Sequence, residues 1–286
     1  MSEISLAALQ EWVGKTEVHH DDLTASPLRG LAATLGRKDP PPERGTPVPP
    51  LWHWLYFLPQ HDAAEIGPDG HPDRGGFLPP IALPRRMWAG SRLTWEPGNL
   101  PRVGDSAKRI SRIASVTHKA GRTGDLVFVT VAHDLHNAQG LCIAEEHDIV
   151  YRGLARPGDP APAPTAAETQ AEWQRELTPD EVLLFRYSAL TFNGHRIHYD
   201  KPYVTDVEGY LGLVVHGPLI ATLLVDLVRR SAPDAFVRRF EFKAVRPSFA
   251  GDVLHLKGQP QADGSVRLWA HSPEGWLAMQ ATAHIE

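Results

Sequence analysis

Ten consecutive residues, TFNGHRIHYD at 191–200, hold two histidines, an arginine, an asparagine and an aspartate, between an apolar run and a Lys-Pro pair. Histidine exchanges a proton near neutral pH, and a neighbouring amide or carboxylate can fix its tautomer or hold a water against it. If the segment is an irregular turn leaving a helix, Asn193, His198 and Asp200 can converge on one small volume as a water-activating group. Two plainer readings use the same residues. Asn-Gly is a turn dipeptide, and histidines near turns often bond only to backbone. His195, His198 and Asp200 are also metal-ligand types, but the run lacks zinc spacing and no cysteine cluster supports it, so no metal is expected.

A second stretch, VVHGPLIATLL, places His216 and Gly217 at the start of an apolar helix. Unpaired N–H groups and the positive end of the helix dipole favour negative charge there, and glycine lets a ligand approach the backbone. A thioester carbonyl lodged at that N–H would have its developing enolate oxygen stabilised, as in an oxyanion hole. Alone, this is also how a plain helix start reads. Together with the polar turn it points to a site that adds or removes water.

Particular elements must hold these groups. In LTPDEVLLFRYSALT, Thr178 is placed as N-cap, Pro179 as first helical residue and Glu181 as the return arm of a capping box, so a helix should deliver the polar turn. HGPLIATLLVDLVRR is apolar on nearly every side, as a buried helix is. FEFKAVRPSFA, DVLHLKG, SVRLWAHS and WLAMQATAHI read as four strands, so one helix against a curved antiparallel sheet is the simplest packing.

Earlier in the chain, Leu6, Leu9 and Val13 predict a short amphipathic helix, and LRGLAATLG a second ending at Gly36. DPPPERGTPVPP breaks regular structure, and LWHWLYFLP is expected to be a buried strand whose Trp52, Trp54 and Tyr56 line an acyl channel or simply fill the core. Residues 61–87 form a glycine- and proline-rich loop of a length that is usually functional or disordered. AKRISRIASVTHKA, LVFVTVAHDLHN and LCIAEEHDIVYR predict a three-stranded meander. The expectation is an α+β chain with one unit over 1–152, a Pro/Ala-rich linker over 153–170 and a second unit over 171–286. Each unit ends in a meander after helical segments, which suggests two copies of one fold.

A formal net charge of −5 argues against nucleic acid or an anionic membrane surface as main partner. A single cysteine, Cys142, suits a reducing compartment. With no basic-then-apolar start and no apolar run of about 20 residues, a cytoplasmic protein is expected.

FRYSALTFNGHRIHYD followed by VEGYLGLVVHGPLIATLL resembles the MaoC-type enoyl-CoA hydratases and dehydratases of the hot-dog superfamily. GPDGHPDRGGFLPPIALPRRMWAGSRL resembles the two-domain branch with a FAS1-like dehydratase N-terminal half, which includes mesaconyl-C4-CoA (3-methylfumaryl-CoA) hydratases. The resemblance implies a double hot dog, two curved antiparallel sheets each around a helix, with one working site supplied by the second half. It places His198 on the catalytic histidine, Gly217 on the backbone donor to the thioester carbonyl, and Asn193 where many members carry a catalytic aspartate. An amide cannot exchange a proton as a carboxylate does. The expected scheme therefore has His198 taking the proton of water, Asn193 positioning that water, and Asp200 or a solvent relay orienting His198.

The resemblance further implies an acyl-CoA thioester as substrate with no separate cofactor. The narrower branch suggests mesaconyl-C4-CoA or itaconyl-CoA, giving citramalyl-CoA. A free carboxylate on the acyl group calls for arginine; Arg196 is the first choice, ahead of Arg85 and Arg86, with His216 also against the substrate. Arg85, Arg86, Arg92 and Lys201 are the basic residues available for the coenzyme's phosphates. Alternatives are hydration or dehydration of plain enoyl and 3-hydroxyacyl thioesters, or a non-catalytic acyl-CoA-binding module. Either leaves room for a homo-oligomer of double hot-dog protomers.

Overall fold

A computed structural model describes residues 6–121, 124–153 and 163–286. Residues 154–162, half of the expected linker, lie outside the described residues. In chain order the elements are α1 (Leu6–Gln10), β1 (Thr16–Asp22), α2 (Ala25–Thr34), β2 (Arg85–Trp95), β3 (Ser106–Gly121), β4 (Gly124–Asn137), β5 (Gly140–Arg152), β6 (Trp173–Leu177), α3 (Glu181–Thr191), α4 (Gly217–Ser231), β7 (Val237–Ala244), β8 (Leu254–Pro260), β9 (Ser265–His271) and β10 (Leu277–Ile285).

All ten strands join one antiparallel sheet in the order β1-β3-β4-β5-β2-β7-β10-β9-β8-β6. Reading outward from the central β2–β7 pair, the first half runs 2-5-4-3-1 and the second 7-10-9-8-6, which is the same order shifted by five. The two halves thus repeat one topology and meet edge to edge, as expected of a double hot dog. At the seam Gly90 pairs with Lys243, and a Cβ on Gly90 would lie 2.3 Å from the Phe242 carbonyl oxygen, so only glycine allows this approach. Register shifts at Trp88/Gly90, Ile113/Ser115 and Leu277/Met279 add the local bends that bulges bring.

The predicted meander over β3–β5 is present, defined locally by short glycine turns, but in the second half only β8–β10 run as a meander, and β7 pairs with β10 rather than with its chain neighbour β8. β1, β2 and β6 had no such signature: β1 and β6 are edge strands with no fully buried residue, and β2 follows a proline-rich loop. The aromatic run is a correction. Instead of a strand it forms a 3-10 turn over Trp52–Leu55, entered through Leu51 at φ 67. Trp52, His53, Leu55, Tyr56 and Phe57 are all buried, so the run has no exposed face and needs no two-residue alternation. The helix before the polar turn starts two residues later than expected: Asp180, not Thr178, is its N-cap, accepting from Leu183 N at 2.7 Å.

In the second half α4 lies on the inner sheet face and buries Leu219, Ile220, Leu223, Leu224, Leu227 and Val228. Each such side chain contributes about 2 kcal/mol through removal from water. The aromatic turn and the α2 residues Leu28 and Leu31 belong to the same core cluster as α4. Asp226 on α4, almost without exposure, pairs with Arg37 after α2, with Arg175 on β6 and with Arg230. This network ties the first half's helical segment to the second half's central helix.

Candidate active site

α3 stops at Phe192, which adopts a left-handed conformation (φ 50) and turns the chain back. Asn193 N–H then bonds Ser188 O at 2.9 Å, and Asn193 Oδ1 accepts the His195 N–H at 3.0 Å. Its side chain therefore shapes the turn as an Asx turn does. One 3-10 turn over Arg196–His198 follows, and Val214 N–H bonds Ile197 O at 3.0 Å. That bond brings the segment before α4 against the turn.

The His198 ring is nearly buried, and its Nδ1 lies 2.7 Å from the Val214 carbonyl oxygen. A carbonyl only accepts, so Nδ1 carries the proton and, in the neutral ring, Nε2 keeps its lone pair. Burial lowers the His198 pKa to about 4, partly opposed by the Val214 bond. His198 stacks on His216 with ring centroids 3.6 Å apart and an interplanar angle of 17°. His216 Nε2 meets Ser188 Oγ at 2.8 Å, and burial holds His216 well below its ordinary pKa. His216 is also the N-cap of α4, so Gly217 begins the helix one residue from the stacked rings. A Cβ on Gly217 would meet nothing within 4 Å, so the side of this first helical residue is open.

A loop from the first half completes the surroundings. Asp69 O accepts the Arg196 N–H at 2.9 Å, and Pro68 O accepts from Arg196 Nη1 at 2.9 Å. Gly70 (φ 86) lies so close to the turn that a Cβ there would sit 1.9 Å from the Gly194 carbonyl oxygen. Asp69 accepts the His71 N–H at 2.9 Å and faces His71 Nδ1 at 3.2 Å. The His71 ring lies 4.0 Å from that of His195, which stands edge-on to His198 at 5.5 Å. Burial works against ionisation of Asp69, yet the two bonds from His71 hold its carboxyl well below the usual range. Burial, then the His71 and His198 charges, depress His195. The ligand atoms of Asp69, His71 and His195 lie within 4.8 Å of one another. Both Asp69 oxygens and His71 Nδ1 are already engaged with each other, which suits a hydrogen-bonded pair.

Four sequence-based assignments change in this setting. Asp200 does not orient His198: its Oδ2 takes Arg196 Nε and Nη2 at 3.0 and 2.7 Å, and its Oδ1 takes the Tyr203 N–H at 3.1 Å. The Val214 carbonyl does the orienting. Arg196, with its guanidinium spent on Asp200 and Pro68 and lying over the Tyr203 ring, is a brace of the turn rather than a free cation. Arg85 is held by the Glu208 carbonyl and carboxylate, and Arg92 by Asp148 and Glu146. Arg86 differs. It lies against Tyr151, its charge reaches both His71 and His195, and among the described residues it makes no ion pair.

Sequence reasoning gave no role to Asp69 and His71, whose signals were their place in a loop too long for a connection and in the stretch that resembles the two-domain branch. It also passed over a buried polar cluster on the first half's sheet. There Glu145 bonds His53 Nε2 and Trp54 Nε1, both at 3.2 Å, and Ser91 Oγ at 3.1 Å. Burial opposes its charge, but His53 and the neighbouring histidines lower the Glu145 pKa to about 2.

Residues 51–250 match the family model described as hydroxyacyl-thioester dehydratase type 2. Over 285 residues, 99% of both chains, the sequence is 45% identical to a mesaconyl-C(4)-CoA hydratase of Chloroflexus aurantiacus. The fold matches a MaoC-like dehydratase from Phytophthora capsici (TM-score 0.66, 13% identity, 99% of both chains). It also matches a Mycobacterium tuberculosis protein described as having a double hotdog fold (TM-score 0.55, 15% identity, 96% of both chains).

Proposed function

Because the chain belongs to the hydroxyacyl-thioester dehydratase type 2 family, we propose that it is a hydro-lyase that reversibly adds water across the double bond of a short, branched, carboxylated enoyl-CoA. The relative named mesaconyl-C(4)-CoA hydratase supports mesaconyl-C4-CoA as the first substrate to test, with citramalyl-CoA as product. The observation that carries the reading is His198: a buried imidazole whose Nδ1–H is tied to the Val214 carbonyl, leaving Nε2 as a base one stacked ring away from the start of α4.

In hydration, Nε2 of His198 takes a proton from water while the water oxygen bonds to the β-carbon. The π electrons move onto the thioester oxygen, which the Gly217 N–H and the α4 dipole stabilise. The α-carbon then takes a proton as the thioester carbonyl re-forms. Asn193 contributes by shaping the turn that presents His198. In this reading the second unit, 171–286, supplies the base and the helix start, while the first, 1–152, closes the site with its loop and Arg86. Arg86 is the arginine left free for the acyl carboxylate, which favours a dicarboxylic substrate over a plain enoyl-CoA. The acidic charge balance and single cysteine support a cytoplasmic location. Among the described residues no helix is long and apolar enough to cross a membrane.

Incubation with mesaconyl-C4-CoA, itaconyl-CoA and crotonyl-CoA separately, following product mass for all three and loss of conjugated-thioester absorbance for mesaconyl-C4-CoA and crotonyl-CoA, tests the proposal. The carboxylated thioesters should gain water and crotonyl-CoA should lag. Binding of all three without any hydration would make the protein an acyl-CoA-binding module instead.

A further inference from the structure

Hydration carries a proton from water to the α-carbon, and the imidazole that holds it meanwhile is positively charged in a buried setting. With an amide at 193, the catalytic turn offers His198 no carboxylate of its own, since Asp200 is committed to Arg196 and the Tyr203 N–H. The carboxylate that reaches both His71 and His195 comes from the other half of the chain. Resting on the hydratase reading, we propose that Asp69, brought across the seam by the 67–73 loop, fixes His71 and through His71 and His195 provides the counter-charge for the proton that His198 takes from water.

The geometry supports this in three ways. The rings of His71, His195, His198 and His216 follow one another at 4.0, 5.5 and 3.6 Å, forming one file of imidazoles. Asp69 stands at one end, bound to His71 by both a ring nitrogen and the backbone N–H. The loop is fastened to the turn itself, through Arg196 N–H and Nη1, and glycines at 70 and 194 permit a backbone approach that a Cβ at 70 would forbid. The charges facing His71 are Asp69, Arg86 and Glu208, and those facing His195 are Asp69, His71, His198 and Arg86. Asp69 and His71 are positioning residues here: the proton leaves water for His198 Nε2 and later goes to the α-carbon, no other bond is made or broken, and every imidazole ends neutral.

The test uses the full-length chain. Asp69→Asn keeps the side chain's shape and an acceptor for the His71 N–H but removes the charge. Its kcat for mesaconyl-C4-CoA should fall about 10- to 100-fold with KM little changed. In ¹⁵N-histidine-labelled protein the ring titrations of His71 and His195 should move to lower pH, by about one unit for His71. Gly70→Ala, with Asp69 intact, should push the loop off Gly194 and lose kcat as well. A wild-type kcat in Asp69→Asn overturns the proposal. So does a fall in kcat with both titrations unmoved, which would mean the loop is only scaffolding. A stoichiometric divalent metal, removed together with activity by a chelator, would overturn it too, by making the cluster a metal centre. If the wild-type protein hydrates none of the thioesters, the hydratase reading fails, while the titrations still decide whether Asp69 charges the histidine file.

Discussion

His198 can take a proton from water only while its Nε2 is unprotonated, so the acid limb of kcat/KM reports on its surroundings. Burial brings its pKa to about 4, against the pull of the Val214 carbonyl. At about pH 5 an ordinary histidine would be only about 3% neutral, whereas one with a pKa near 4 is about 90% neutral, a difference of about 30-fold in active enzyme. The assay is the initial rate of thioester hydration at subsaturating substrate from about pH 8 downward. Activity should stay level to about pH 5 and then fall tenfold per unit below about pH 4.

Stability must be followed alongside. His198, His147 and His133 are held neutral by burial, with pKa values of about 4, 4 and 3. Their folded values lie below the unfolded value near 6.5. The stability they confer is therefore complete above about pH 6.5 and lost as the pH falls through about 4, by about 2 kcal/mol per group at pH 5. Tryptophan fluorescence at each pH separates a titrating base from an unfolding chain. An acid limb centred near 6.5 in protein that is still folded would refute the assignment of His198 as a buried, Val214-oriented base.

Four further outcomes are expected. His198→Ala should lower kcat by about 10²- to 10⁴-fold in a protein that keeps its circular dichroism spectrum. Arg86→Gln should raise KM for the carboxylated thioesters by about 10- to 100-fold and leave crotonyl-CoA unaffected, whereas Arg196→Gln should lower thermal stability more than substrate affinity because Arg196 braces the turn. Asp226→Asn strips three arginines of their shared buried partner and should cost about 3–5 kcal/mol, read as a fall in melting temperature of roughly ten degrees.

How far these features could be read in the sequence depended on how local their causes are. The helix α4 declares itself by an apolar run opened by Gly-Pro, the two meanders by strand-like runs between short glycine turns, and His198 and Gly217 by short motifs whose geometry is made within a few residues. The aromatic run misled because burial on every side removes the alternation that separates strand from turn. Thr178 misled because threonine and aspartate both cap helices, and only the formed bond from Leu183 chooses Asp180.

By itself the sequence determined the α+β pattern, the buried helix with glycine at its start and a polar turn holding a histidine, because each follows from propensities and patterns of neighbouring residues. Only the tertiary structure decided what surrounds that histidine. The Val214 carbonyl that sets its tautomer is a backbone group with no side-chain signature, and the loop bearing Asp69 meets a turn whose Arg196 lies 128 residues beyond Pro68. Of Arg85, Arg86 and Arg196, Arg86 alone makes no ion pair among the described residues, because Arg85 finds Glu208 and Arg196 finds Asp200, pairings that only the folded chain makes.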